Sequence, residues 1–92
     1  MNLTTKHIVV KGKVQGVFFR KHTKQKADEL NIAGWVRNTD SGHVEIMAQG
    51  ADDAIEQFIE WCKEGSPKAE VSDVQVNNAW INPNFKKFSI AH

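Results

Sequence analysis

The amino-acid sequence predicts an α+β fold in which two helices cover one face of an antiparallel sheet. Segments with an apolar residue at every second position indicate strands, and two segments with apolar residues every three or four positions indicate helices. Runs of turn-forming residues separate these segments. A chain of 92 residues can bury one core and is too short for two, so we predict a single domain over residues 1–92.

The first strand is predicted over residues 7–14, where apolar and polar side chains alternate. A loop over residues 15–18 follows this strand. The next apolar or small residues are spaced by four and three positions, which marks one face of a helix: Phe19, Thr23, Ala27 and Leu30. Asn31 tolerates the left-handed conformation and is expected to end this helix.

Further strands are predicted on either side of a second helix. Residues 33–38 and 43–49 form a hairpin, because the turn formers of residues 39–42 join them. Later in the chain, alternating valines over residues 71–76 indicate a long strand with room for a bulge, and residues 88–90 indicate a short final strand.

The second helix has the clearest start and stop signals. Asp52 or Asp53 is expected to be its N-cap, and Gly65 and Pro67 are expected to end it. Its apolar stripe is widened on one side and consists of Ala51, Ala54, Ile55, Phe58, Trp61 and Cys62. The element order is therefore βαββαβ with an extra terminal strand, which is the ferredoxin-like arrangement with a sheet of four to five strands. This fold alone does not determine a function.

Composition excludes several classes of protein. Twelve basic against eleven acidic residues give a net charge of +1, so no global field attracts a nucleic acid or an anionic membrane. No apolar stretch approaches the roughly 20 residues that span a bilayer, and the first six residues lack a secretion signal, so we expect a cytoplasmic protein. The single cysteine, Cys62, excludes an intrachain disulfide and lies on an apolar helix stripe, where a buried structural thiol is expected.

Residues 10–20 carry the first functional signal, a strand that turns through a glycine-containing loop into a helix. Main-chain N–H groups of such a loop, together with those of the first helical turn, form a concave anion site. Gly16 has no Cβ that would obstruct an oxyanion, and Arg20 is suited to a bidentate contact with two phosphate oxygens. The same pattern also occurs in loops that bind nothing, and it is neither a Walker loop nor a dinucleotide fingerprint.

Asn38 carries the second signal, at the end of a strand and before a turn. Its amide both donates and accepts hydrogen bonds and can orient a water molecule, although an asparagine at such a position is often only a turn former. No metal and no cofactor are predicted, because the four histidines, including His92, and the one cysteine lack metal-ligand spacing. His22 lies near Arg20 in sequence, but its position on a helix flank does not favour a phosphoryl acceptor.

A site with an arginine and an amide, and with no evident acid, base or metal, suits a reaction that needs little proton transfer. An acyl phosphate meets this condition because its carboxylate leaving group has a pKa of about 4 and departs unprotonated. An alkyl phosphate monoester would expel an alkoxide, which normally requires an acid or a metal ion.

These segments closely resemble the acylphosphatase family. Residues 10–20 match its first signature, residues 34–50 match its second, and similarity continues in residues 65–71 and 88–90. The resemblance implies a ferredoxin-like acylphosphate phosphohydrolase in which Asn38 positions the attacking water. It implies a phosphate cradle made by the main chain of Gln15, Gly16, Val17, Phe18 and Phe19 and by the side chain of Arg20.

The resemblance also implies substrates such as acetyl phosphate, carbamoyl phosphate and 1,3-bisphosphoglycerate, inorganic phosphate as product, and a phosphate oxygen as the proton acceptor. Two departures are minor. Asn31 stands where relatives often have glycine, and the chain ends with Ala91 and His92 where an aromatic or basic end is frequent, which leaves a contact from the C-terminus in doubt.

The sequence therefore predicts a metal-independent acylphosphatase that acts as a monomer without a nucleic-acid partner. The alternative is a non-enzymatic ferredoxin-like module that binds a nucleic acid or another anion through its open sheet face. The residues expected there form a poor stacking platform: His7, Val9, Lys11, His43, Glu45 and Met47. A regulatory or carbamoyl-transfer relative that keeps the loop is a third reading, and the physiological acyl group is not encoded in any recognisable pattern.

Overall fold

The computed structural model describes residues 2–91, which form five strands and two helices. In chain order these are β1 (Leu3–Lys13), α1 (Phe19–Glu29), β2 (Ala33–Asn38), β3 (Val44–Ala51), α2 (Asp52–Glu64), β4 (Glu70–Asn78) and β5 (Phe88–Ile90). Every predicted element is present in the predicted order, and the α+β fold with both helices on one face of the sheet is confirmed.

The strand order across the sheet is β4-β1-β3-β2-β5. The first four strands pair antiparallel, as expected, whereas β5 runs parallel to β2 and makes the sheet mixed. The connection between β4 and β5 explains this difference. It leaves β4 at the end of the sheet where β2 begins, stays at that end through contacts with Thr5 and Gln49, and so delivers β5 in the direction of β2.

The core lies between the sheet and the two helices. Ile8, Ile46 and Val36 are cross-strand partners on β1, β3 and β2, and all three are fully buried beneath the helices. Phe58 of α2 packs edge-on against Phe88 of β5, with ring centroids 6.1 Å apart. Burying each such side chain contributes roughly 1.5–3 kcal/mol to folding, so this layer holds the sheet and helices in a fixed arrangement.

The structure confirms three predicted special positions. Asn31 follows α1 with φ 57°, and Gly65 follows α2 with φ 78°. The pairing of β1 with β4 shifts register between Lys11 and Gly12, which is the expected bulge. Residues with positive φ therefore follow both helices, and a bulge interrupts the pairing of the long edge strand.

Two predicted boundaries are wrong. The first strand begins at Leu3, four residues earlier than expected, and Ala51 rather than Asp52 or Asp53 occupies the N-cap of α2. Asp52 is instead the first helical residue, and its carboxylate accepts a hydrogen bond from the Thr4 hydroxyl of β1. Both acidic residues remain in the first turn, where the helix dipole favours negative charge.

The face of the sheet opposite the helices carries a charge cluster and a tryptophan. The Glu45 carboxylate contacts His7 Nε2 at 2.6 Å and the Arg37 guanidinium at 2.5 Å. Arg37 is ion-paired although its side chain is 47% exposed. Trp35, which sequence reasoning did not assign to this face, lies beside its cross-strand partner Met47.

Candidate functional site

The loop of residues 14–18 joins β1 to α1 at one end of the sheet. Gly16 has φ 74°, and Phe18, the N-cap residue of α1, has φ 58° and ψ 25°. Gln15 and Val17 do not have a positive φ, so the sign of φ alternates along the loop. Backbone of alternating hand is a feature of anion-binding nests, in which successive main-chain N–H groups face one concave side.

The N–H groups of this loop are not used by the fold. Within residues 2–91, no protein acceptor takes the main-chain N–H of any residue from 15 to 20. The next bonded amide in this region is that of His22, which donates to the Phe18 carbonyl at 3.1 Å. Loop donors and the positive end of α1 therefore combine at one place, where an anion is stabilised.

Gly16 was expected to allow close approach of an oxyanion. A Cβ added at this position would meet no protein atom within 4 Å, so packing against the protein does not require glycine here. The positive φ does favour it, because a side chain at φ 74° is strained. The side of the loop that faces away from the protein is thus open to a ligand.

Gln15 ties the loop to the β2–β3 hairpin. Its Nε2 donates to the carbonyl oxygens of Thr39 at 2.9 Å and His43 at 2.8 Å, which lie on the two sides of the hairpin turn. Sequence reasoning assigned a role only to the Gln15 main chain and missed this contact. The hairpin turn directly follows Asn38, so the side chain of Gln15 fixes the loop relative to the second candidate segment.

A second contact holds the loop from behind. The buried Ser66 hydroxyl, in the connection between α2 and β4, donates to the Val17 carbonyl at 3.0 Å. Residues 66 and 17 are 49 positions apart in sequence, and no local pattern predicts that they meet. The loop is therefore fixed at Gln15 on one side and at Val17 on the other.

Asn38 is the last residue of β2 and lies at the same end of the sheet. It pairs with Val44 of β3, which pairs with Val10 of β1. Directly paired residues point to the same face, so the Asn38 side chain lies on the helix-covered side. Its Oδ1 is buried, and among the described side chains this is the one buried polar atom without a hydrogen-bond partner. A buried acceptor without a donor is unusual and marks Asn38 as a candidate functional residue.

Arg20 is the second residue of α1 and directly follows the loop. It is half-buried, and its guanidinium makes no ion pair with any acidic side chain in the described part of the chain. Successive helical residues are separated by 100°, so Arg20 and His22 lie on opposite flanks of the helix. The structure therefore separates His22 from Arg20, while α1 packs on β2, the strand that carries Asn38.

Other candidate groups are separate from this end of the sheet. Cys62 is fully buried, and desolvation raises the pKa of its thiol to about 12, which leaves almost no thiolate near neutral pH. Across residues 2–91, no three His, Cys, Asp or Glu side chains come together as metal ligands. His92, whose contribution was left open, lies outside the described residues.

Comparisons with known proteins identify the family and the fold of the chain. The Acylphosphatase family model matches residues 6–90. A relative from Pelotomaculum thermopropionicum named acylphosphatase is 43% identical over 91 residues, which cover 99% of both chains. The crystal structure of acylphosphatase from Bacillus subtilis superposes with a TM-score of 0.93 and 41% identity over 99% of this chain and 100% of that chain.

The fold also occurs inside a longer protein. The crystal structure of full-length HypF in the phosphate- and nucleotide-bound form matches 99% of this chain with a TM-score of 0.90 and 32% identity. That match covers only 12% of the HypF chain. The relatives of this chain thus include small proteins of the same length and one segment of a much larger one.

Proposed function

The chain belongs to the acylphosphatase family, and we propose that it hydrolyses small acyl phosphates at the loop end of the sheet. The carboxyl–phosphate anhydride is split into a carboxylate and inorganic phosphate. One observation carries this assignment: the unused N–H donors of residues 15–20 and the unpartnered Oδ1 of Asn38 lie at the same end of the sheet. Donors suit the phosphoryl group, and an acceptor suits the attacking water.

The phosphoryl group is bound by the main-chain N–H groups of residues 15–19 and by the Arg20 side chain. These groups are positively polarised or charged, and the contacts of Gln15 and Ser66 fix the loop before substrate arrives. Positioned donors stabilise the charge that spreads over the phosphoryl oxygens in the transition state without reorganising during the reaction.

Asn38 supplies the second half of the arrangement. Its Oδ1 accepts a hydrogen bond from a water O–H and directs the water oxygen at phosphorus. A bond forms between the water oxygen and phosphorus as the bond between phosphorus and the acyl oxygen breaks, and the electron pair leaves with the carboxylate. A phosphate oxygen takes the proton of the water, so the site needs no separate base.

The proposal includes one domain over residues 1–92, a monomer, a cytoplasmic location, and no metal, cofactor or nucleic-acid partner. The open sheet face supports the absence of a nucleic-acid partner, because Glu45 lies between His7 and Arg37 and offsets their attraction for phosphates. Trp35 is the single large aromatic on this face among the paired strand residues, whereas RNA readers stack several bases on aromatics.

The test compares leaving groups in the presence of a chelator. With EDTA, we expect the protein to hydrolyse acetyl and benzoyl phosphate and to act on p-nitrophenyl phosphate on the order of a hundredfold less well, because the site provides no general acid. Rates should be the same with and without EDTA. Equal activity on all three substrates, or loss of activity with the chelator, would overturn the proposed chemistry.

A further inference from the structure

We propose that Ser66 is a positioning residue whose hydroxyl keeps the peptide bond between Val17 and Phe18 in the orientation that binds phosphate. The inference rests on the proposed function, because it concerns the same phosphate-binding loop. Ser66 does not touch the substrate. It acts through the main chain of the loop, by the 3.0 Å hydrogen bond from its hydroxyl to the Val17 carbonyl.

The position of Ser66 is fixed by the turn that contains it. Its carbonyl accepts a hydrogen bond from the Ala69 N–H at 2.9 Å, and Pro67 occupies the following position, as is common in β-turns. The preceding residue, Gly65, packs so closely on α1 that an added Cβ would lie 2.8 Å from Phe19 Cε2. The turn is therefore seated against the first residue of α1, and only 3% of Ser66 is exposed.

The hydrogen bond to the Val17 carbonyl determines where the next N–H points. In a trans peptide the C=O and N–H vectors are antiparallel, and no peptide bond of the described chain is cis. With the Val17 carbonyl directed at Ser66, the Phe18 N–H must point the opposite way, away from the α2–β4 turn. This N–H is one of the unused donors of the loop.

The backbone at Phe18 favours a different orientation. Its φ of 58° is strained for a residue with a bulky side chain. Rotating the preceding peptide by about half a turn exchanges a positive φ for a negative one, as between type II and type I turns. Phe18 is 72% exposed, so packing of its ring does little to hold the strained conformation.

The rotated peptide would be harmful to phosphate binding. It would direct the Val17 carbonyl oxygen into the cradle and remove the Phe18 N–H from it, so a donor would be replaced by a group that repels an anion. The Ser66 hydroxyl opposes this rotation. In the rotated state the Val17 carbonyl would no longer accept its hydrogen bond, and the buried hydroxyl would be left without a partner.

The experiment compares Ser66→Ala with Thr23→Val. Each change removes a buried hydroxyl that donates to a main-chain carbonyl, but the Thr23 hydroxyl bonds Phe19 O within α1 at 2.7 Å and not the loop. We expect the inhibition constant for inorganic phosphate to rise about tenfold in Ser66→Ala and to change less than about threefold in Thr23→Val. In amide NMR spectra, the Phe18 signal should lose most of its shift on phosphate addition in Ser66→Ala alone.

A second substitution tests whether Ser66 acts by orienting the loop or only by stabilising the whole fold. Glycine adopts positive φ without strain, so Phe18→Gly added to Ser66→Ala should recover part of the lost phosphate binding although it adds chain flexibility. Equal phosphate inhibition in wild type and Ser66→Ala, equal losses in Ser66→Ala and Thr23→Val, or no recovery in the double variant would each overturn the inference. Wild-type protein that neither hydrolyses acetyl phosphate nor is inhibited by phosphate would instead overturn the proposed function, and this inference with it.

Discussion

Two amide side chains with buried oxygen atoms lie at opposite ends of the sheet and differ in how their polar atoms are used. Gln49, on β3, accepts hydrogen bonds from the Thr5 hydroxyl at 2.7 Å and the Asn82 N–H at 2.8 Å, and donates to the Asn82 carbonyl at 3.0 Å. Asn38, at the end of β2, has a buried Oδ1 without any partner in residues 2–91. One end of the sheet is thus internally satisfied, and the other leaves an acceptor and the loop donors unused.

This difference separates a structural amide from a functional one. A buried polar group left without a partner costs about 1–3 kcal/mol, whereas a satisfied one adds about 0.5–1.5 kcal/mol per hydrogen bond. The fold therefore gains stability at Gln49 and gives it up at Asn38. Such a cost is expected where the missing partner is a substrate or a water molecule.

Asn38→Ala should have the largest effect on catalysis. We expect turnover of acetyl phosphate to fall on the order of a hundredfold because the attacking water is no longer oriented, while phosphate inhibition changes little. Arg20→Ala should instead weaken phosphate inhibition and turnover together. Steady-state kinetics with phosphate as inhibitor distinguish these outcomes, and wild-type turnover in Asn38→Ala would contradict the role of the amide.

Gln49→Ala should have the opposite profile. The variant loses three hydrogen bonds and leaves the Thr5 hydroxyl and the main-chain groups of Asn82 without these partners, which should lower the free energy of unfolding by roughly 2–3 kcal/mol. Turnover should stay within about twofold of wild type. Urea unfolding measures the first quantity. Gln57→Ala, at an exposed position of α2, is the control and should change stability by less than about 0.5 kcal/mol. If both variants unfold alike, the satisfied amide is not a source of stability.

The smallest effect is expected from Glu45 on the open sheet face. Hydrogen bonding to His7, and secondarily the contact with Arg37, lowers the pKa of this carboxyl despite its partial burial. Its ionised form therefore stabilises the fold above the ordinary carboxyl pKa, and this contribution is lost as pH falls through the lowered value. Glu45→Gln should cost less than about 1 kcal/mol at pH 7 and progressively less in acid.

Urea unfolding of wild type and Glu45→Gln, from pH 7 down through the lowered pKa of Glu45, tests whether the stability difference disappears in acid. Glu56→Gln is the control, since Glu56 is exposed on α2 and makes no ion pair within residues 2–91. A stability difference at pH 7 that persists in acid would mean that Glu45 acts through packing and not through charge.

The order of strands and helices could be predicted from the spacing of apolar residues, because the buried residues of this fold follow that spacing closely. Ile8 and Val10 alternate into the core, and Phe19, Thr23 and Ala27 line one side of α1. The N-cap of α2 was mispredicted for a tertiary reason. β3 runs directly into α2, which makes Ala51 the N-cap and Asp52 the first helical residue, and the Asp52 carboxylate accepts a hydrogen bond from Thr4 of β1.

The candidate site was only partly predictable. Residue chemistry and the resemblance identified Arg20, Asn38 and the main chain of residues 15–19, and these assignments stay predictions until the variants are measured. The contacts of Gln15 and Ser66 were not predictable, because each joins a side chain to a main-chain carbonyl at least 24 positions away. Such contacts depend on how elements pack, which periodicity does not describe.

The one cysteine of the chain, in α2, is a natural probe of local unfolding. Cys62 is sealed in the core and, with its pKa raised to about 12, is inert toward alkylating reagents while the chain stays folded. Reagent reaches it only when the helix lifts from the sheet, so the rate of labelling follows the frequency of that opening. The labelling rate of Cys62 therefore measures local opening of the fold without an introduced probe.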